Sequence, residues 1–388
     1  MFLKSSKSLL VAVFSVVMMF FLNVSNAQEG TEKKVPKKLD PAKIIMEHVG
    51  DGHEFHFTTF GKHPVTIPLP VFLYSPDKGF SVFMSSAFDH GHEVHDGYRL
   101  LDEEYFEEHK LAEVKTAKGA PVFAVGKVYR VDESGVPDAK VKVFDFSMTR
   151  NVVQVLISLI LLVWIMTGVA KQYKSGKGVT SAPSGFQNAV EPVITFVRDE
   201  VGKPNLGPKY EKYMPYLLTV FFFILINNLI GMIPGTANVT GNIAFTAVLG
   251  IISFIVILFS SNKHYWGHII NPPVPGAIKF IMVPIEIMGL FTKPFALIIR
   301  LFANMISGHI IILSFIILIF IFGAMSTGLG WGTSPLFVLF SVFIYLLEVL
   351  VAFIQAFIFA NLTAVFIGQA MEGSHEHHAD VHDDAVLV

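Results

Sequence analysis

The chain has 388 residues, of which 52% are hydrophobic and only 15% charged, with 37 phenylalanines. About 25% charge is usual for a soluble protein, so most of this chain is suited to lipid. The absence of cysteine excludes disulfides, thiolate chemistry and cysteine-held zinc or iron–sulfur centres, and a net charge of −2 offers no basic face for nucleic acid.

The first 27 residues have the pattern of an export signal. Lys4 and Lys7 form a positive start, Leu9 to Leu22 a short apolar core, and Ser25-Asn26-Ala27 a small-residue cleavage site. Cleavage would start the mature chain at Gln28 and leave 28–148 outside the cytoplasm; an uncleaved first membrane helix is the alternative. Segments such as His53 to Phe60, Pro64 to Leu73 and Val122 to Tyr129 alternate apolar and polar residues between Gly, Pro and Asp, which predicts short strands in a small β-rich domain. Its histidines, above all His90-Gly-His92-Glu-Val-His95, raise a metal-site reading. No tight ligand spacing supports it, so solvated histidines, no metal and no cofactor are expected.

From Asn151 onward hydropathy sets the organisation. Val152 to Ala170 is long enough to span a bilayer, and Lys171, Lys174 and Lys177 mark its exit as cytoplasmic. A polar loop, 171–213, follows, containing an amphipathic stretch from Phe186 to Val201 suited to a membrane surface. Pro215 to Ile233 and Ile243 to Phe259 predict two more spans. Two apolar runs complete the set, 278–322 and 335–370, joined by a Gly/Ser/Thr loop from Gly323 to Ser334. As helices they would extend roughly 65 Å and 55 Å, about twice a perpendicular crossing, so they must tilt, bend or break, with Pro284 and Pro294 as bend sites.

The predicted fold is therefore an all-α polytopic membrane protein. About five membrane helical elements cover 149–370, the last two a long tilted hairpin, preceded by the β-rich extracytoplasmic domain at 28–148. A histidine- and acid-rich tail, 371–388, is expected to be disordered and cytoplasmic.

The last two runs carry polar groups that lipid would reject: Glu286, Lys293, Arg300, Asn304, Ser307, His309, Glu348 and Gln355. Arg300 is the most informative, because a guanidinium keeps its charge when buried and must be compensated by a partner, a cavity or water. Residues seven apart nearly eclipse on a helix, so Glu286, Lys293, Arg300, Asn304 and Ser307 share one stripe, while His309 turns away from Arg300. Glu348 and Gln355 share a face of the final helix. Groups able to pass a proton thus flank one that cannot, as in a relay interrupted by a fixed positive barrier.

These residues also carry a resemblance. Lys293-Pro294, then Arg300-Leu-Phe-Ala-Asn304-Met-Ile-Ser-Gly308, then Gln355-Ala-Phe-Ile-Phe359 resembles subunit a of the F-type ATP synthase, and Asn228-Leu-Ile-Gly-Met-Ile-Pro-Gly235 is similar to that family's second-helix signature. The resemblance covers about 150–370 and does not extend to 28–148. It implies a stator in a bacterial inner membrane, facing a ring of c subunits and held by peripheral-stalk b subunits, which translocates protons or sodium ions. Arg300 would meet the ring carboxylate, with Gln355 and Asn304 beside it. His309 and Glu348 would form a relay pair whose members are exchanged relative to many members of the family. Glu286 would sit in an entrance or exit path, with Lys293 and Asn228 in support. The alternative, a secondary ion transporter, expects matching repeats that this chain lacks. No Gly-x4-Gly-Lys-Ser/Thr loop is present, so nucleotide chemistry falls to partners.

Overall fold

In the computed structural model the described residues are 45 and 50–371, less 61–62, 112–113, 115–121, 133–134, 139, 177, 179–181, 183–184, 234 and 273–274. The expected signal at 1–27 and the tail from 372 lie outside the described residues.

Among the described residues there are seven short strands; the alternating segments at 53–60 and 64–73 hold β1, β2 and most of β3, whereas 122–129 is strand only from Val128. β1 (Glu54–Phe60) pairs antiparallel with β2 (His63–Pro68) across a bulge between His56 and Thr58. β3 (Pro70–Ser75) is the centre of a sheet ordered β4-β3-β7, with β4 at Gly79–Met84 and β7 at Phe144–Asp145. β5 (Tyr98–Leu100) pairs with β6 (Val128–Arg130), and a short helix, α1 (Glu103–Glu108), begins where the Asp102 side chain accepts from the Tyr105 N–H. On β3 the odd residues point inward, since side chains alternate across a strand: Val71 and Leu73 are fully buried with Phe88 and Tyr98. The even face looks out, where Tyr74 meets the rings of Phe80 and Phe144.

Buried His53 holds the Asp145 carboxylate at 2.9 Å across this region, and Ser147 donates to the same carboxylate from its N–H. Burial raises the Asp145 pKa, but hydrogen bonds from His53 and Ser147 outweigh it and leave the group below its ordinary 3.8. Such a carboxyl stabilises the fold above its unfolded pKa and loses that contribution as pH falls through the lower folded value. Protection of the Phe146 amide, which donates to the Phe72 carbonyl, should fall below about pH 4 in hydrogen exchange. Asp145→Asn should abolish that pH dependence.

Beyond β7 the chain is helical. α2 (Arg150–Lys174) is tied to the strand region at its start: the Arg150 guanidinium donates to the Gly50 carbonyl, and the Asn151 N–H donates to Asp51 at 3.2 Å. α3 (Phe186–Phe196) runs through a π turn at Val197–Gly202 into the single turn α4 (Lys203–Leu206). α5 (Tyr210–Gly231), α6 (Ile243–Ser260) and the short α7 (Lys263–Ile270) follow. α8 (Gly276–Met325) and α9 (Thr327–Met371) close the described chain. Among the described residues, five helical stretches are long and apolar enough to cross a membrane: 150–174, 186–231, 243–260, 278–325 and 327–371. This is the helical build of a polytopic membrane protein.

Two expectations change, and of the three ways open to the long helices, one is excluded. The loop from Gly323 to Ser334 is helical except at Ser326, whose extended backbone alone separates α8 from α9. Gly330 seats against Gly323 so closely that a Cβ at 330 would lie 2.7 Å from the Gly323 Cα; glycine's low helix propensity is overridden because two backbones can meet there. Neither long helix breaks: α8 continues through Pro284 and Pro294, and at 1.5 Å per residue the pair reach roughly 75 Å and 68 Å. The amphipathic stretch at 186–201 places Val190, Val197 and Val201 in the protein core and stacks Phe196 against Phe353 and Phe357 of α9. Its apolar face packs on protein.

The buried face of α9 runs at helical spacing through Glu348, Ala352, Ala356, Ala360, Ala364, Ile367 and Ala370. Small residues let helices approach closely where lipid gives no hydrophobic drive to association. At the open end of the hairpin Asn262 donates from its N–H to the Ala370 carbonyl and from Nδ2 to the Met371 carbonyl, at 2.9 and 2.6 Å. Lys293 Nζ donates to Gln369 Oε1 at 2.9 Å.

Gly330→Leu should force α8 and α9 apart and cost about 1–3 kcal/mol, read as a lower unfolding midpoint in detergent. Gly332→Leu, two residues along where a Cβ meets nothing within 4 Å, should be tolerated.

Candidate functional site: a polar seam in the last hairpin

On α8, Leu290, Leu297, Leu301 and Met305 are buried at spacings of seven and four, fixing which side faces the core. Glu286, Lys293, Arg300 and Asn304 are half-buried beside that stripe, and Ser307 is exposed. The predicted stripe thus runs along the margin of the packed face. Among the described residues, Glu286 is in no ion pair and Arg300 makes no hydrogen bond, ion pair or ring contact. Lys293 reaches Gln369 and lies 5.0 Å over the Phe366 ring, tying the two helices together near the open end.

The opposite side of α8 carries the His309 and Glu348 pair. Glu348, 5% exposed, brings Oε1 to 2.9 Å from His309 Nδ1. The approach is close but off-axis, so neither carboxylate oxygen has an aligned donor among the described residues. His309 Nε2 lies 3.0 Å from the Gly231 carbonyl, and Nδ1 3.1 Å from the Met305 carbonyl. A carbonyl only accepts, so Nε2 carries a proton toward Gly231. Nδ1 faces a second carbonyl, that of Met305, with the Glu348 carboxylate beside it, so a proton on Nδ1 has an acceptor on either side.

Gly308 makes this seat possible. A Cβ there would come within 2.7 Å of Glu348 Oε1 and 2.9 Å of its Cδ. The Gly308 contact with Glu348 at one level and the Lys293 contact with Gln369 at another fix an antiparallel register, and Arg300 and Gln355 fall between these two levels. Gln355 is 5% exposed. Fully buried Asn228 on α5 donates to the Ala352 carbonyl at 3.3 Å, one turn along α9 from Glu348.

Several members of this seam escape a reading of the sequence. Gln154 of α2 is 2% exposed and accepts from the Ala237 N–H at 2.8 Å, while Asn238 Nδ2 donates to the Met305 carbonyl at 3.3 Å. Gln154 Nε2, Ser158 Oγ, Asn227 Oδ1, Asn228 Oδ1 and Thr240 Oγ1 are buried without a hydrogen-bond partner among the described residues. Unpaired buried polar atoms are costly, so this flank of the pair is suited to water. The four-residue spacing of Gln154 and Ser158 in an otherwise apolar helix was the available signal. In the strand region His90 Nδ1 lies 2.6 Å from Glu54, and His95 stacks edge-on against Phe83. Among the described residues no group of three His, Asp or Glu could hold a metal.

Comparison with known proteins adds two family matches. The profile of the ATP synthase A chain family matches residues 152–368, and that of a domain of unknown function (DUF8433) matches 44–146. An ATP synthase subunit a from Chloroherpeton thalassium is 46% identical over 250 residues, covering 63% of this chain and 72% of the relative. One from Pelodictyon phaeoclathratiforme is 40% identical over 291 residues, covering 73% and 78%, and one from Anaeromyxobacter dehalogenans is 37% identical over 250 residues, covering 62% and 61%. With more than half of its length matched by that profile, and with its polar seam inside the matched part, the chain belongs to the ATP synthase A chain family.

Proposed function

We propose that this chain is the ion-translocating stator of an ATP synthase membrane sector, which faces a ring of carboxylate-bearing c subunits and is held by peripheral-stalk b subunits. It has no catalytic site of its own. The observation that carries this reading is Arg300: a permanent charge on a membrane-length hairpin, half-buried and without a partner among the described residues. Family membership supports it.

The mechanism is electrostatic. A ring carboxylate must be protonated to face lipid, because a bare charge there is expensive. On reaching the stator it meets Arg300, which lowers its pKa and favours release of the proton into one aqueous half-channel. A second half-channel, open to the other side, reprotonates it. Arg300 prevents direct flow between the two, since it offers no acceptor and keeps its own proton. His309 and Glu348 relay the proton on one side, in the polar surroundings that Asn228 shares; Asn304 and Gln355 border the ring contact, and Glu286 lies along the path on the other side. Each charge crossing the membrane potential yields ~2.3 kcal/mol per 100 mV. In the bacterial inner membrane the mature N-terminus would be periplasmic and the C-terminus cytoplasmic, as the lysines in and just beyond the last turn of α2 suggest. The same scheme serves sodium ions if the ring supplies ligands for them.

Arg300→Ala in inverted vesicles should abolish ATP-driven quenching of a ΔpH-sensitive dye while ATP hydrolysis persists; undiminished pumping would reject the scheme. Gly308→Ala should push the Glu348 carboxylate off His309 and slow pumping roughly tenfold or more. Adding Glu348→Asp, one methylene shorter, should restore part of that loss, and a double variant no faster than Gly308→Ala alone would count against the relay.

A further inference from the structure

The sheet β4-β3-β7 turns an apolar face outward, which the proton mechanism does not use. The register pairs Tyr74 with both Phe80 and Phe144, Phe72 with Val82, and Pro70 with Met84. The chain after β7 stays in line, since the N–H groups of Phe146 and Met148 donate to the carbonyls of Phe72 and Pro70. Every second residue faces out, so the face is built in three tiers. Its outer members are Phe80 and Phe144, then Val82 and Phe146, then Met84 and Met148, between 36% and 73% exposed. Soluble surfaces rarely leave an apolar area of this extent uncovered.

What covers it follows from where it ends. Met148 stands two residues before the start of α2, a membrane-length helix. Val152, Leu156, Ile160 and Trp164 continue from Met148 at four-residue spacing along one side of α2, each between 43% and 69% exposed. The outward face of the sheet is therefore followed, within a few residues, by an exposed apolar side of α2. Tiers two residues apart are ~7 Å apart along a strand. The headgroup zone beside the hydrocarbon core is about 5–8 Å deep, so all three tiers reach it only where the sheet lies against the bilayer surface rather than along its normal. Aromatic and aliphatic side chains are favoured at that depth.

We propose that the β4-β3-β7 face docks on the lipid headgroup surface of the bilayer that α2 crosses, so that the strand region leans on the membrane as an interfacial anchor. The proposal requires only that α2 spans, and it stands whether or not Arg300 has the role given above.

The chain contains no cysteine, so single labelling sites can be introduced cleanly. Val82→Cys and Phe146→Cys, each carrying an environment-sensitive fluorophore, would be measured in the full chain in phosphatidylethanolamine/phosphatidylglycerol vesicles. Ile160→Cys serves as the lipid-facing control and exposed Glu93→Cys as the aqueous one. Labels at 82 and 146 should be quenched by lipids brominated in the upper acyl chain and shielded from aqueous iodide, as at 160, whereas the label at 93 should show the reverse. Iodide quenching at 82 and 146 equal to that at 93 would overturn the proposal. So would shielding from both quenchers, which would mean that a protein surface, a second copy included, covers the face. Dye-quenching pumping assays on the same vesicles report separately on the stator function.

Discussion

A guanidinium cannot shed its proton to escape a low-dielectric setting, and this chain holds one partway along a helix of 50 residues. Much of the surrounding architecture accommodates that constraint. Arg300 lies at the margin of the packed face of α8 rather than within it, because Leu297 and Leu301 take the buried positions on either side. A charge at the margin remains open to a partner from outside the subunit, whereas one in the core would need a carboxylate from the same chain and would neutralise itself.

The His309 and Glu348 pair obeys the complementary rule. An imidazole and a carboxyl each have a neutral form, so neither has to carry a fixed charge when buried. Placing them on the core side of α8 requires room, and the missing side chain of Gly308 gives it. Main-chain carbonyls from Gly231 and Met305 orient the imidazole. Backbone groups hold their positions better than long side chains do, so the imidazole keeps a constant orientation. The polar residues around the pair come from α2, α5 and the connection after α5, so one seam joins every long element except α6.

Much of this was legible in the residues. A seven-residue recurrence places Glu286, Lys293 and Arg300 on one stripe, and alternation marks β1, β2 and most of β3. What was not legible depends on contacts between elements. A run of glycine, serine and threonine between apolar stretches reads locally as a loop; only the fit of Gly330 on Gly323 shows that helix continues to within one residue of the turn. Pro284 and Pro294 read locally as bend sites, and α8 is continuous through both, since within a long helix neighbouring segments can absorb the lost hydrogen bonds. Gly308 carries no signal of its own, because its importance lies in a carboxylate forty residues away. β7 is two residues long and exists only because β3 is beside it.

The bonds from Asn262 to the last carbonyls of α9, together with the reach of Lys293 to Gln369, have a mechanical meaning. The two long helices are joined covalently at Ser326 and fastened again at the far end. Loaded sideways along its unsupported length, such a structure behaves as a beam clamped at both supports rather than as a cantilever. It flexes far less for the same force, so the polar groups at mid-length keep their spacing.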